Sequence, residues 1–284
     1  MKAHRQLTSV MLACNDEWDH SHLVGDYVIQ NKIDGIRAWG SDDGCGGTLL
    51  ATRKPGKYIH NIHTRRKFNH KSYRNLDGEL VIPGYSFHDS SGIIRSHDDP
   101  RGADAVWMIF DSLSHPTLSY AERHIKLQAI GNLAGIHIMA APLYTANNPE
   151  LYLACLEAEM AKYNLPFEGY ILRQLDSRYK IGRATRKEAS LFKLVADTRG
   201  VAQFRRFIPR LSQESSIPLA EVGAIECNYN GVTLRVSGNF SRAKAEYWWR
   251  NRAEIQPETE IHFRYKHEGT LFLPRQAVYI SGLP

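Results

Sequence analysis

The octet Gln30-Asn31-Lys32-Ile33-Asp34-Gly35-Ile36-Arg37 brings together a lysine, a carboxylate two residues on, a glycine and an arginine. Tyr27-Val28-Ile29, just before the lysine, is a β-branched and aromatic run that reads as a strand. Alternate side chains of a strand share a face, so Lys32 and Asp34 can enter one pocket. Gly35 permits a turn or the close approach of a ligand. Arg37 carries a planar fork of donors suited to phosphate. Taken alone, the octet fits a reactive site and an exposed, mixed-charge strand edge equally well.

Further charged residues sit at strand ends or turns: Arg53, Glu79, Glu168 and Lys193, each flanked by apolar residues. Buried charge is costly unless it is paired or binds something, so such positions imply a shared cleft. Lysines, arginines and two or three carboxylates in one cleft fit phosphate plus a divalent metal. A lysine among other cations loses its proton more readily, as a lysine nucleophile must. The residues alone therefore point to phosphoryl or nucleotidyl transfer.

The elements that must position these groups can be read in outline. Arg37-Ala38-Trp39 continues the Lys32 strand, and Thr48 to Thr52 returns as a hairpin that delivers Arg53. Residues 58–75 form a basic, solvated segment; His60 and His63 could clip a metal, but no second pair follows. Leu76 to Ile82 is a strand opened by an Asp77-Gly78 turn signal. Residues 90–97 form a small loop, and Ala105 to Phe110 is a buried central strand closed by Asp111. Ser119 and Glu122 are spaced as the capping box of a helix reaching Ile130. Ile136 to Leu143 is a short strand. A helix from Asn148 to Lys162 has Asn148 as its N-cap. Phe167 to Arg173 and Ser190 to Val195 are strands. From residue 198 the texture changes to short strands and turns, with Asn230-Gly231 as a hairpin signal and a helix over Ser241 to Arg252. These features predict an α+β chain with domains 1–197 and 198–284, the second a small Greek-key barrel.

With 284 residues, 43% of them hydrophobic and 23% charged, the chain can bury one large core or two ordinary ones. The net charge of +6 suits a polyanionic partner. Cys14, Cys45, Cys155 and Cys227 are widely spaced, with no CxxC pair, which predicts a reducing, intracellular and cytoplasmic setting. No signal peptide and no apolar run of about 18 residues is present, so no membrane span is expected.

KIDGIR (32–37), TRKPGK (52–57), LDGELVIPG (76–84), VWMIFD (106–111), FEGYILR (167–173) and SLFKLV (190–195) resemble the ordered motifs of covalent nucleotidyltransferases. The resemblance extends over nearly the whole chain and is strongest to ATP-dependent DNA ligases of the small bacteriophage and viral type. Residues 91–97 add to it. It implies an adenylation domain of antiparallel sheets with flanking helices, followed by an OB-fold barrel. It implies ATP and Mg²⁺ (or Mn²⁺) as cofactors, and nicked double-stranded DNA as the partner of a monomer acting in replication or repair in a bacterial or phage-infected cell. By the resemblance, Lys32 attacks the α-phosphate of ATP and carries AMP. Arg37 and Arg53 contact ribose and phosphates, including the 5′-phosphate of a nick. Glu79 holds a ribose hydroxyl or a metal, and Glu168 the metal. Phe110 stacks on adenine, Gln30 meets its edge, Lys193 sits on the α-phosphate, and Asp34 orients the lysine or a metal.

The chain departs from the family at Val195, where a second lysine is usual; one phosphate contact is then either missing or supplied by another residue, Lys187 or Arg186. The C-terminal motif is matched only in its beginning, residues 269–275. Nine basic residues against two acidic ones between Tyr179 and Arg210, among them Arg186, Lys187, Arg205 and Arg206, form the expected DNA-binding stretch. The polar segment Pro209 to Leu219 is a candidate latch around DNA. Trp248 and Trp249 read as packing residues ahead of base platforms. The same motifs also suit an RNA ligase or an RNA-capping guanylyltransferase. A nick-binding protein without activity is the third reading.

Overall fold

A computed structural model of the protein describes residues 10–16, 18–130, 133–165, 167–194, 198–212, 214–238, 240–268 and 274–284. The chain divides into two compact units, Met1–Val195 and Ala196–Pro284.

In the first unit, β1 (Met11–Leu12), β2 (Tyr27–Ile33), β3 (Ile36–Asp42) and β4 (Thr48–Thr52) precede α1 (Ile62–Lys67). β5 (Leu76–Val81), α2 (Phe87–Arg95), β6 (Val106–Ser112), α3 (Tyr120–Gln128) and β7 (Ile136–Ile138) follow. α4 (Glu150–Tyr163), β8 (Phe167–Gln174), β9 (Gly182–Arg183) and β10 (Leu191–Leu194) complete it. One sheet runs β4-β3-β5-β6-β7, a second runs β10-β8-β2, and β1 pairs with β9. Residues of one parity on the larger sheet (Ala38, Leu50, Leu80, Trp107, Ile109) pack in a core with Ile59, Phe68, Ile93 and Leu127. The other parity, with Trp39 and Ala51, packs with Met11, Tyr179, Leu191 and Ile171, which belong to the smaller sheet and its surroundings. The far side of the smaller sheet (Tyr27, Ile29, Leu172, Phe192) is covered by Tyr152 and Leu156 of α4. Two sheets thus face one another, each backed by helices, as amphipathic strands require.

The octet is not one strand. β2 ends at Ile33 in the smaller sheet, and β3 begins at Ile36 in the larger. Asp34-Gly35 is the crossing, over β5. A Cβ on Gly35 would lie 2.6 Å from the Leu80 carbonyl oxygen and 2.7 Å from Glu79 Cγ, so the passage admits glycine alone. Asp77-Gly78 is likewise no turn but lies inside β5, where a Cβ on Gly78 would sit 2.3 Å from the Met108 carbonyl oxygen. Residues 90–97 belong largely to α2, capped by Ser86 and anchored by buried Ile93 and Ile94. Residues 58–75 are less solvated than expected, since Asn61 is buried and caps α1 through the Thr64 N–H. α3 carries the expected Ser119–Glu122 capping box. α4 starts one residue later than expected, with Pro149 at its N-cap and no side-chain cap bond. The strand expected over 136–143 stops at Ile138.

The second unit is a closed barrel of β11 (Thr198–Leu211), β12 (Pro218–Tyr229), β13 (Val232–Ser237), β14 (Glu260–Glu268) and β15 (Pro274–Ser281), in the order β11-β12-β13-β15-β14. α5 (Arg242–Arg250) buries Trp248 against Phe207, ring centroids 5.7 Å apart, which makes Trp248 a packing residue. Asn230 and Gly231 turn β12 into β13 with φ of 50° and 82°, the left-handed pair that a tight hairpin needs. The candidate latch is strand at both ends: Leu211 pairs with Pro218, so residues 209–211 and 218–219 close the β11–β12 hairpin, with a turn at 214–215 between them. The fold is α+β, as the sequence predicts.

Candidate active site

The face that β2 turns toward the larger sheet carries Gln30 and Lys32. Gln30 is level with Ile171 of β8, which is level with Lys193 of β10, so Gln30, Lys32 and Lys193 share one side of the smaller sheet. Lys32 Nζ donates to Glu168 Oε2. Glu168 reaches that place through a β-bulge. Lys32 pairs with Gly169 and Ile33 with Phe167, which leaves Glu168 as the extra residue. Bulges re-aim side chains, and they gather beside functional sites.

A second bulge works in the larger sheet. Asp77 pairs with Asp111 but Gly78 with Ile109, so Phe110 is the extra residue of β6. Glu79 pairs with Arg37 on one side and Met108 on the other. In a regular strand Met108 and Asp111 would point to opposite faces; the bulge turns both to the face of Arg37, Glu79 and Asp77.

That face is built from ions. Asp77, fully buried, accepts from Arg37 Nε at 2.7 Å and Nη2 at 2.8 Å. Asp111, equally buried, accepts from Arg123 Nε at 2.8 Å and from Arg173 Nη1 at 2.7 Å, the latter reaching across from β8. Pairing of this kind is what lets charge persist away from water. Glu79 differs: burial raises its carboxyl to about 8, against the opposing pull of Arg37 and Lys32, with Asp77 and Asp34 adding to the rise. At neutral pH the group is thus largely a neutral donor.

The structure brings Gln30, Lys32, Glu168, Arg37, Glu79, Phe110 and Lys193 onto the facing sides of the two sheets, with Asp34 near enough to act on Glu79. Two roles change. The Nε–Nη2 edge of Arg37 is engaged by Asp77, so the fork expected for phosphate retains only Nη1 uncommitted among the described residues. Phe110 carries the Arg37 guanidinium 4.4 Å from its ring centroid, a cation–π contact on the ring expected to stack on a base. The amide nitrogen of Gln30, on a residue 1% exposed, makes no well-formed hydrogen bond among the described residues, though its side chain acts on the Tyr120 hydroxyl. Lys193 Nζ donates to Asn15 Oδ1 at 3.0 Å.

Arg37 aside, the DNA-binding candidates are exposed. Arg53 is exposed, one residue past Thr52, which pairs with Ala38 beside Arg37. Arg186 and Lys187 are exposed in the turn before β10. In the barrel unit Arg205 donates to Thr233 Oγ1, and the fork of Arg206 is taken by Glu226 at 3.0 and 2.9 Å. Lys180 is likewise paired, with Glu188, and Arg210 with Glu221. The basic stretch therefore offers less free charge than its count. Val195 and residues 269–273 lie outside the described residues.

Sequence reasoning passed over Asp77, Asp111, Arg123, Arg173 and Tyr179. Asp77 and Asp111 were visible as carboxylates embedded in apolar strands, a costly placement that signals a partner. Nothing local pointed to Arg123 or Tyr179. Among the described residues no cluster of three or more His, Cys, Asp or Glu could by itself hold a metal ion, so His60 and His63 form no such site. No helix among them is long and apolar enough to cross a membrane. The four cysteines are unpaired.

No family model and no curated protein sequence matches the chain. Solved structures do. A Lig E DNA ligase, described as binding DNA with a minimal scaffold, superposes with a TM-score of 0.72 at 20% identity, covering 96% of this chain and 98% of that one. Chlorella virus DNA ligase-adenylate superposes at 0.54 with 22% identity, covering 98% and 99%. The chain has the fold of these ligases: a unit of two facing sheets followed by an OB-fold barrel.

Proposed function

We propose that the protein is an ATP-dependent DNA ligase that seals nicks in duplex DNA, with Lys32 as the residue that accepts AMP. The observation that carries this reading is the pairing of Lys32 with a bulge-borne Glu168, on a sheet face shared with Gln30 and Lys193, within the ligase fold. In this reading the first unit is the adenylation domain and the barrel binds DNA, and the protein acts as a cytoplasmic monomer.

ATP fits the residues present. The buried amide of Gln30, beside the Tyr120 hydroxyl, offers a donor to an adenine acceptor, and Arg37 Nη1 and Lys193 offer donors to phosphate. Magnesium keeps waters and takes only one or two carboxylates beside substrate phosphates, so Glu168 is a sufficient protein contribution, joined by Glu79 only once Glu79 gives up its proton. When bound, the ion would neutralise phosphate charge. Lys32 must give up its proton and its contact with Glu168 before its lone pair can reach phosphorus. Lys193 must exchange Asn15 for a phosphate oxygen, where it stabilises charge that builds during transfer. The chain's work is positioning and neutralisation, in three transfers: AMP to Lys32 with pyrophosphate leaving, AMP to the 5′-phosphate of the nick, and attack by the 3′-hydroxyl with AMP leaving.

Incubation with α-labelled ATP and Mg²⁺ is expected to label the protein covalently, and Lys32→Ala to abolish the label. Absence of label, or label that survives the substitution, refutes the reading. Preferential labelling by GTP would redirect it to an RNA-capping guanylyltransferase, and sealing of RNA rather than nicked DNA to an RNA ligase.

A further inference from the structure

Arg37 belongs to a closed circuit of hydrogen bonds that extends beyond the cleft. Its Nη2 donates to Asp77 Oδ2 at 2.8 Å and to the Met11 carbonyl oxygen at 3.1 Å. The Met11 N–H donates to the Tyr179 hydroxyl at 3.1 Å, and that hydroxyl donates to Asp77 Oδ2 at 2.6 Å. The circuit joins β1, β3, β5 and the residue three before β9. Met11, Asp77 and Tyr179 are buried, while the Arg37 side chain remains 20% exposed. Burial, and next the negative charge of Asp77, hold the Tyr179 phenol well above its ordinary range, so it remains a donor.

Asp77 alone would fix the plane of the guanidinium through Nε and Nη2. The Met11 carbonyl adds a constraint outside that pair, and Tyr179 ties both Asp77 and the Met11 peptide in place. One hydroxyl thus secures two of the three anchors of Arg37. The one donor group of Arg37 left uncommitted among the described residues, Nη1, takes its direction from the circuit.

We propose that Tyr179 is a positioning residue for Arg37, setting with the Met11 peptide the direction from which Arg37 meets a phosphate of the nicked strand. This rests on the ligase reading. Tyr179→Phe keeps the ring packed against Met11 and Trp39 and removes only the hydroxyl. The assay is single-turnover sealing of a pre-adenylylated nick, normalised to the fraction of chains able to take labelled AMP on Lys32, so that unfolded protein does not count. Sealing is expected to slow about ten-fold, with the labelling end point retained. In an Arg37→Ala background Tyr179→Phe is expected to add nothing, because the two act as one unit. Sealing within two-fold of the parent, or equal slowing in both backgrounds, overturns the proposal. A parent protein that takes no AMP refutes the ligase reading instead. The circuit can then be tested by NMR: Tyr179→Phe should speed solvent exchange of the Arg37 Nε–H, and unchanged exchange overturns the positioning role.

Discussion

Asp111→Asn tests whether the ion network between the sheets holds the first unit together. Asp111 accepts three hydrogen bonds from two guanidinium groups: 2.8 and 3.1 Å from Arg123, and 2.7 Å from Arg173. Exposure of the three side chains is 0%, 1% and 4%. Asparagine keeps the shape, but it removes the charge and turns an NH₂ toward one of the cations. Breaking a buried pair by removing one partner costs about 3–5 kcal/mol, because the other charge stays buried and uncompensated. Against a total of about 5–15 kcal/mol for a domain, that is a large share. The contrast is Glu226→Gln in the barrel, whose partner Arg206 is 72% exposed; a pair in water contributes about 0–1 kcal/mol. Urea unfolding followed by tryptophan fluorescence, with the denaturant slope checked for constancy, compares the two. A loss under about 1 kcal/mol for Asp111→Asn, or an equal loss for Glu226→Gln, would show that the network is not what stabilises the packing of the two sheets.

Other expectations rest on single features. Glu79 holds its proton to about 8 when folded but to about 4.5 when unfolded. The folded state therefore binds more protons across that window, and its stability falls as pH rises through it. Glu79→Gln, measured in EDTA, should gain on the parent by roughly 3–4 kcal/mol between pH 5 and pH 9, as an upper figure; a difference independent of pH would contradict the burial argument. Gly78→Ala puts a methyl 2.3 Å from the Met108 carbonyl oxygen, so β5 and the Phe110 bulge must shift. A cost of about 1–3 kcal/mol is expected, with weaker AMP labelling, and an unperturbed variant would argue against the close approach. Ser119→Ala removes the hydroxyl half of the α3 capping box, leaving the Ser119 N–H to Glu122 Oε2 bond, and should lower stability by about 1 kcal/mol in the same unfolding assay.

Most elements were legible because their signals are local. The Ser119–Glu122 box, the Asn230-Gly231 turn and the apolar run Val106 to Phe110 each fall within a few residues, and each forms where expected. α2 was missed because Gly92 and a polar start hide the Ile93–Ile94 anchor, which becomes apolar signal only once a sheet lies beneath it. The Asp77-Gly78 pair misled because the same dipeptide serves a turn and a tight strand-to-strand contact. The basic stretch was overcounted because its partners Glu221 and Glu226 come from a different strand of the barrel.

The sequence by itself determined the α+β class, the change of texture near residue 198, and which charged residues stand on or beside strands, Lys32 among them. Periodicity and the cost of burying charge suffice for that, since both act residue by residue. Only the tertiary structure decided that the octet spans two sheets, and that Glu168 and Phe110 are bulge residues. It also decided that the Arg37 fork is occupied by Asp77 and steadied by Tyr179, 142 residues away (179 − 37). A bulge is a mismatch between two strands, and an ion pair across sheets is a choice between partners. Neither is encoded in any one segment, so both emerge only when the segments are packed together.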